Sequence, residues 1–393
     1  MEVGGAVNGI PPGDLVLDAR IGPAGARPCG PGPPRQVLLT GATGFLGGYL
    51  LARLLATAGT TVHCLVRGRT PERAAEALDG RLRAHGIDPA AVRGRVVAVS
   101  GTLSKPLLGW SADAFAAAAE RIDTVYHCAA SVNLLASYEQ LRTATVLGTA
   151  EVLRFAATHR VKPVHYISTL GVLAHALAAG GGRRLAEDDP LPPPAGPGYC
   201  RAKWVAELLV RTAAARGLPV RIHRPGAILG DDSGAAVATT DWLMRLTAAS
   251  VRVGAVPRHE AVLPLATAGH IADAVVALSL QAPPADGPVY HTVQPQHLSF
   301  ADYFALVRTL GHELAEEPYD VWLDRLAAAE SDSDTGEVRL AQAVEQCFPA
   351  RQHGAAARIG SDAFQREVGR LGLPPAPAID AELIRGQLDR LLR

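Results

Sequence analysis

The stretch QVLLTGATGFLG, Gln36 to Gly47, constrains this chain more than any other. Val37 to Leu39 form a short apolar run of strand type, and Gly41, Gly44 and Gly47 follow at three-residue spacing. From Tyr49 to Ala58 the pattern is that of a helix burying Leu50, Leu51, Leu54 and Leu55. Strand, glycine turn and helix are the parts of a dinucleotide crevice. Gly41 allows the tight turn, Gly44 lets the backbone approach a pyrophosphate, and Gly47 lets the helix pack on the strand. The helix N-terminus adds unpaired N–H groups and the positive end of its dipole. Thr40, Gly41, Thr43, Gly44, Phe45, Leu46 and Gly47 are therefore the expected phosphate-binding set.

The rest of the chain supports a large α/β domain. Its 393 residues suffice for a main domain and a smaller lobe. From Arg35 apolar strands alternate with amphipathic helices, which predicts a Rossmann-type, doubly wound parallel sheet covered on both faces. Thr61–Val66, Val96–Ser100, Asp123–Ala130, Pro163–Ile167, Val220–Arg224 and Val289–Val293 read as further strands, and 137–158 as one long helix. Residues 1–34 hold seven prolines and read as a Pro/Gly-rich linker, of which only Leu15–Ile21 is expected to lie on the domain. Residues 35–230, with 260–295 returning, form the expected nucleotide domain. Residues 231–259 and 296–393 form a mainly helical C-terminal substrate lobe.

Arg67 stands at the end of the second strand, 20 residues after Gly47. An arginine there suits the 2′-phosphate of NADP, whereas NAD enzymes carry a carboxylate for the ribose hydroxyls. Arg67, with Arg69 beside it, points to NADPH. Leu103, after the third strand, is expected beside the adenine, and Ala129 and Ala130 are small enough to let the backbone approach the cofactor. Ala176 to Gly198 read as a long irregular loop of the kind that serves as an active-site lid.

Tyr199 and Lys203 open the next helix. A four-residue separation puts them on one face. A phenol of pKa about 10 needs help to work as an acid–base at neutral pH, and a nearby ammonium supplies it.

Composition excludes several classes. Lys+Arg and Asp+Glu both number 38, so no charge excess favours nucleic acid or an anionic membrane. The five cysteines are an odd set without a CxxC pair and read as reduced thiols of a cytoplasmic protein. The thirteen histidines form no HxxxH or HExxH pattern, so no metal site is expected. No signal segment or long uncharged apolar run is present, which suits a soluble protein.

Taken together, Thr40-Gly-x-x-Gly-x-x-Gly47, Thr169 and Tyr199-x-x-x-Lys203 resemble the extended short-chain dehydrogenase/reductases. LLTGATGFLG, CLVR, VYHCAASVN, YISTLGV, KWVAE, the Arg224-Pro225-Gly226 turn and VGAVP at 253–257 are similar, more closely, to thioester reductase domains. Those domains terminate nonribosomal peptide and polyketide synthetases and occur in carboxylic acid and aminoadipate reductases. The likeness covers residues 13 to 393. It departs from the family pattern at Cys128, Thr145, Thr102 and Ala202.

The resemblance implies that Thr169, Tyr199 and Lys203 are catalytic, and that Lys203 and Pro225 also touch the cofactor. It implies NADPH-dependent reduction of an acyl or peptidyl thioester, carried on a carrier protein's phosphopantetheine arm, to an aldehyde and in some cases an alcohol. Lys203 would hold the ribose and acidify Tyr199. The expected assembly is a monomer or part of a multidomain synthetase. Competing readings are a sugar-nucleotide or hydroxysteroid enzyme of the same superfamily, a redox-free thioester cyclase, and an NADP-binding module without catalysis.

Overall fold

The computed structural model describes residues 9–28, 30, 32–68, 70–230, 241–282, 284, 286–330, 336–350 and 355–392. Arg69 and the first eight residues of the tail lie outside them. Seven strands make the central sheet: β1 Gln36–Thr40, β2 Thr61–Val66, β3 Val96–Ser100, β4 Thr124–His127, β5 Val164–Ile167, β6 Val220–Pro225 and β7 Val289–Thr292. Their order is β7-β6-β5-β4-β1-β2-β3, and every pairing is parallel. Chain order reverses between β1 and β4, and the crevice at such a switch point is where open α/β sheets bind ligands.

In chain order the helices are α1 Phe45–Ala56, α2 Pro71–Ala84, α3 Ala112–Arg121, and α4, which runs as Tyr138–Arg142, a π turn Thr143–Leu147 and Gly148–Ala157. After a short helix over Ala174–Ala179 there follow α5 Gly198–Ala215, α6 Trp242–Val253, α7 Ala268–Ser279, α8 Phe300–Thr309, α9 Tyr319–Glu330, α10 Glu337–Glu345, α11 Asp362–Arg370 and α12 Ala381–Leu391. Helix α1 starts at Phe45, four residues before the apolar period suggests. Gly47 and Gly48 lower helix propensity there, but packing outweighs it, because Gly47 lies flat on the turn below.

Period two along each strand sends side chains to both faces, and both faces are buried. Val37, Leu39, Val62 and Tyr126 meet α1, α2 and α7 on one side. Leu38, Leu65, Val125, Val164 and Ile222 meet α3, α4 and α5 on the other. Ile10, Leu17 and Ile21 belong to this second core, so the docked part of the tail reaches further back than Leu15. Asp14 anchors it: its buried carboxylate accepts from Tyr138 Oη at 2.7 Å and from Arg142 Nη2 at 2.5 Å.

Helices α6, α8, α9, α10 and α12 build the cores of a C-terminal lobe. Helix α11 departs from that pattern. Phe364 and Val368 pack on Tyr290 of β7 and Leu278 of α7, so α11 covers the edge of the sheet. The Gly/Pro-rich stretch 176–198 also differs from a free lid. Arg184–Leu185 pairs in parallel with Arg358–Ile359, and Glu187 accepts the N–H groups of His291, Ala363 and Phe364. Length and composition did not reveal these anchors, since the partners lie more than a hundred residues downstream. No helix among the described residues is long and apolar enough to cross a membrane.

Candidate active site

The turn after β1 is built on close approach. Gly41 has φ +82°, and a Cβ there would stand 2.7 Å from the Ala129 nitrogen. A Cβ on Gly47 would stand 1.8 Å from the Gly41 oxygen. Gly44 is exposed, and a Cβ on it would meet only the Gly41 oxygen, at 3.1 Å, so its outer side is clear. No side chain caps α1, so the N–H groups of its first turn remain open to a ligand. A glycine floor with free amides above it fits a pyrophosphate. Phe45 is half-buried, whereas Leu46 points into the core and has only its backbone to offer.

Thr40 is fully buried. Its hydroxyl accepts from Ala129 N at 3.1 Å and donates to His127 Nδ1 at 2.8 Å. His127 Nε2 in turn donates to Thr149 Oγ1 at 3.0 Å, and Thr149 gives its proton to the Thr145 carbonyl at 2.6 Å. Thr149 has one proton and spends it on Thr145, so His127 donates from Nε2, and in the neutral ring Nδ1 accepts from Thr40. Burial, aided by the charge of Lys203, pushes its pKa down to about 3. His127 thus ties the end of β4 to the end of β1, and Thr40 holds the Ala129 backbone.

Arg67 is exposed at the end of β2. The Thr43 carbonyl, in the glycine turn, accepts from Arg81 Nε at 3.1 Å and Nη2 at 2.6 Å. No sequence motif singled out Arg81. Leu103 packs against Gly148 of α4, where a Cβ would come within 2.7 Å of its own Cβ. Ala129 and Ala130 line the end of β4, half-buried, and Pro225 is buried at the end of β6. The neighbouring Gly226 is needed for a backbone approach, since its Cβ would lie 1.9 Å from the Pro264 oxygen.

The three residues of catalytic type meet at the end of β5. Thr169 caps the 3₁₀ turn Leu170–Leu173, its hydroxyl accepting from Gly171 N at 3.1 Å. Tyr199 and Lys203 face it from the first turns of α5. Lys203 is 2 % exposed, and its Nζ donates to the Ile167 carbonyl at 2.7 Å and lies 4.2 Å from the centre of the Tyr166 ring. Burial pulls the ammonium down to about 7, against the opposing pull of Cys128 and Glu207. Burial holds the Tyr199 phenol above its ordinary range, while a hydrogen bond from Thr169 draws it the other way. The resemblance implied that Lys203 acidifies this phenol. Here the ammonium is engaged with Ile167 and desolvation governs Tyr199, so the phenol keeps its proton across neutral pH. Cys128, between β4 and the glycine turn, is close enough to act on both Tyr199 and Lys203, which ties the trio to the crevice.

Behind the trio runs a buried ionic network. Ser168 Oγ donates to Glu207 Oε2 at 2.6 Å, and Arg224 donates to both Glu207 oxygens at 3.1 and 2.6 Å. Arg211 adds a third contact at 2.9 Å. Arg224 Nη1 also donates to His291 Nε2, and His291 Nδ1 donates to the Gly360 carbonyl at 2.6 Å. Burial alone would raise the Glu207 pKa, but Arg224, Arg211 and Ser168 outweigh it and hold the carboxyl at about 2. Glu207 follows Lys203 by one helical turn, and that spacing was the signal that could have found it.

Among the described residues no three His, Cys, Asp or Glu side chains gather as metal ligands. The arrangement can hold a dinucleotide over the turn and offer the hydroxyls of Tyr199 and Thr169 to a reacting oxygen, with the Lys203 amine beside them.

Residues 39–276 match the family described as male sterility protein. The chain is 38 % identical over 327 residues to an isonitrile lipopeptide synthase of Streptomyces coeruleorubidus, covering 80 % of this chain and 21 % of that protein. It is 31 % identical to the L-2-aminoadipate reductase large subunit of Penicillium chrysogenum, covering 76 % and 22 %. The chain thus spans about a fifth of the length of these relatives. Among solved structures, the terminal R domain from the myxalamid PKS-NRPS pathway superimposes with a TM-score of 0.87 at 38 % identity, covering 97 % of this chain and 96 % of that one.

Proposed function

Because the chain belongs to the male sterility protein family, among the terminal reductase domains of peptide and polyketide synthetases, we propose that it releases a carrier-bound acyl or peptidyl thioester by NADPH-dependent reduction. The observation that carries this reading is the convergence of Thr169, Tyr199 and Lys203 at the end of β5, beside an open glycine turn. The solved R domain matches along nearly the whole chain, which supports the same reading for the lobe that would choose the substrate.

NADPH, when bound, supplies hydride to the thioester carbonyl. The chain's own residues do the rest. Gly41, Gly44 and the first turn of α1 hold the pyrophosphate, and Arg67 meets the 2′-phosphate. As negative charge grows on the carbonyl oxygen, Tyr199 donates to it, and burial keeps that phenol protonated at the pH where reduction needs an acid. Thr169 is the second donor. Lys203 spends one N–H on Ile167 and would turn the others to the ribose hydroxyls. The tetrahedral hemithioacetal then expels the carrier's pantetheine thiol and leaves an aldehyde. A second reductive cycle would give the alcohol. The carrier protein is the partner, in cis or in trans.

Incubating the protein with NADPH and a panel of acyl-pantetheine thioesters, with products identified by mass spectrometry, tests the proposal. Aldehyde or alcohol formed together with free thiol is the expected result. Turnover of sugar nucleotides or hydroxysteroids, with no thioester in the panel consumed, would overturn it.

A further inference from the structure

We propose that Arg81 is the fixed arm of a two-arginine clamp for the 2′-phosphate and, with Arg67, sets the preference for NADPH over NADH. This rests on the NADPH reading above and adds a residue to it. Three observations carry the assignment. First, Arg81 reaches from the far end of α2 onto the glycine turn, where its guanidinium is locked by two hydrogen bonds to the Thr43 carbonyl. Its stem lies on α1, since a Cβ on Gly48 would stand 2.8 Å from Arg81 Cδ.

Second, the charge is left over. Arg73 and Arg83 of the same helix pair with Glu76 at 3.3 Å and Asp79 at 3.8 Å. Half-buried Arg81 has no carboxylate at ion-pair distance among the described residues. Two of its five N–H groups serve Thr43, which leaves three for an anion. Third, the position is right. β2 pairs with β1 so that Leu65 stands beside Thr40, and Arg67 emerges two residues later, alongside the turn. Arg67 and Arg81 therefore border the same corner of the crevice, where the adenosine ribose of a dinucleotide falls. A phosphate dianion takes two guanidinium groups readily, and a preorganised one loses less freedom on binding.

The alternative is that Arg81 only braces the turn, and the two roles separate cleanly. Binding of NADP⁺, NAD⁺, 2′,5′-ADP and 5′-AMP is measured by titration calorimetry for the wild type, Arg81→Met and Arg81→Lys. One charge-assisted phosphate contact corresponds to roughly 10- to 100-fold in affinity. Arg81→Met should weaken NADP⁺ and 2′,5′-ADP by about that factor while NAD⁺ and 5′-AMP change less than about threefold, and Arg81→Lys should recover part of the loss. Equal weakening of phosphorylated and unphosphorylated ligands, or an unchanged ratio, would overturn the assignment and leave the NADPH reading standing. A wild type that does not prefer 2′,5′-ADP to 5′-AMP would remove both.

Discussion

Mild acid should destabilise this protein through its buried imidazoles, at a pH where most carboxylates are still ionised. Tyr126, His165, His223 and Tyr290 form a stacked row across β4, β5, β6 and β7, with ring centres 4.8, 6.0 and 5.7 Å apart. Neither nitrogen of His165 or His223 has a hydrogen-bond partner among the described residues. Burial lowers the pKa of His223 to about 3, and the same cause sets His127 and His291 at about 3 and His165 well below its ordinary value. In the unfolded chain each titrates near 6.5. Between those values the unfolded state binds the proton and the folded state does not, so stability is full above pH 6.5 and is lost as pH falls. His259, taken by burial to about 4, joins them, and from pH 7.5 to 5.5 the five imidazoles together cost about 7 kcal/mol. Asp241 works in the opposite sense. Its enclosed carboxyl caps α6, and burial raises it to about 7, so acidification over the same interval stabilises the fold by about 2 kcal/mol. What remains of the loss, about 5 kcal/mol, is a large part of a typical domain's stability. Urea titrations followed by circular dichroism at pH 7.5 and 5.5 measure it, and His165→Phe should reduce the loss by about one imidazole's share. Equal stability at the two pH values, or a His165→Phe loss equal to that of the wild type, would refute the reasoning.

Three further outcomes bear on the site. Tyr199→Phe should lower thioester reduction by roughly 10²- to 10³-fold while leaving NADP⁺ affinity within about twofold; wild-type turnover would remove the phenol from the chemistry. Arg67→Ala should weaken NADPH about tenfold and NADH hardly at all in fluorescence titrations, and parallel losses would contradict its role. Glu207→Gln removes the carboxylate that supports the charge on Lys203, so any limb of the pH–rate profile owed to that ammonium, near pH 7 in the wild type, should move to lower pH. An unmoved limb would detach Glu207 from the amine.

What could be read from the residues, and what could not, follows from the range of the interactions. The glycine turn, the strands and the Tyr199–Lys203 face are local patterns, and each appears at or near its expected place because neighbouring residues dictate it. The misjudged features depend on distant partners. Ile10 lies in a Pro/Gly-rich segment too poor in apolar surface to fold alone, ahead of the stretch Leu15–Ile21 expected on the domain, yet with Leu17 and Ile21 it completes a core supplied by α4 and α5. The segment 176–198 has the composition of a loop, but Glu187 finds its donors at His291, Ala363 and Phe364. The end of α2 shows no motif, and only the packing of α1 against it brings Arg81 to Thr43.

The buried network is held together by partners just as distant along the chain. Ser168, Glu207, Arg224, His291 and Gly360 link the end of β5 to α5, β6, β7 and the segment that enters α11. A charge sequestered this far from water is tolerable only when every partner is in place, so the network stands or falls as a unit. Thr169 and Lys203 are thereby referenced to the sheet. Ser168 precedes Thr169, and Lys203 is bonded to Ile167 on the same strand end. The C-terminal residues 358–364 are part of what holds them, although sequence pattern assigned that stretch to the substrate lobe. Removing residues from 355 onward should therefore disturb catalysis through Arg224 and His291 as well as the lobe core that α12 completes. The lobe cores built on α6, α8 and α9 contribute no residue to this chain of bonds, so they can vary with the substrate while the geometry at Tyr199 stays constant.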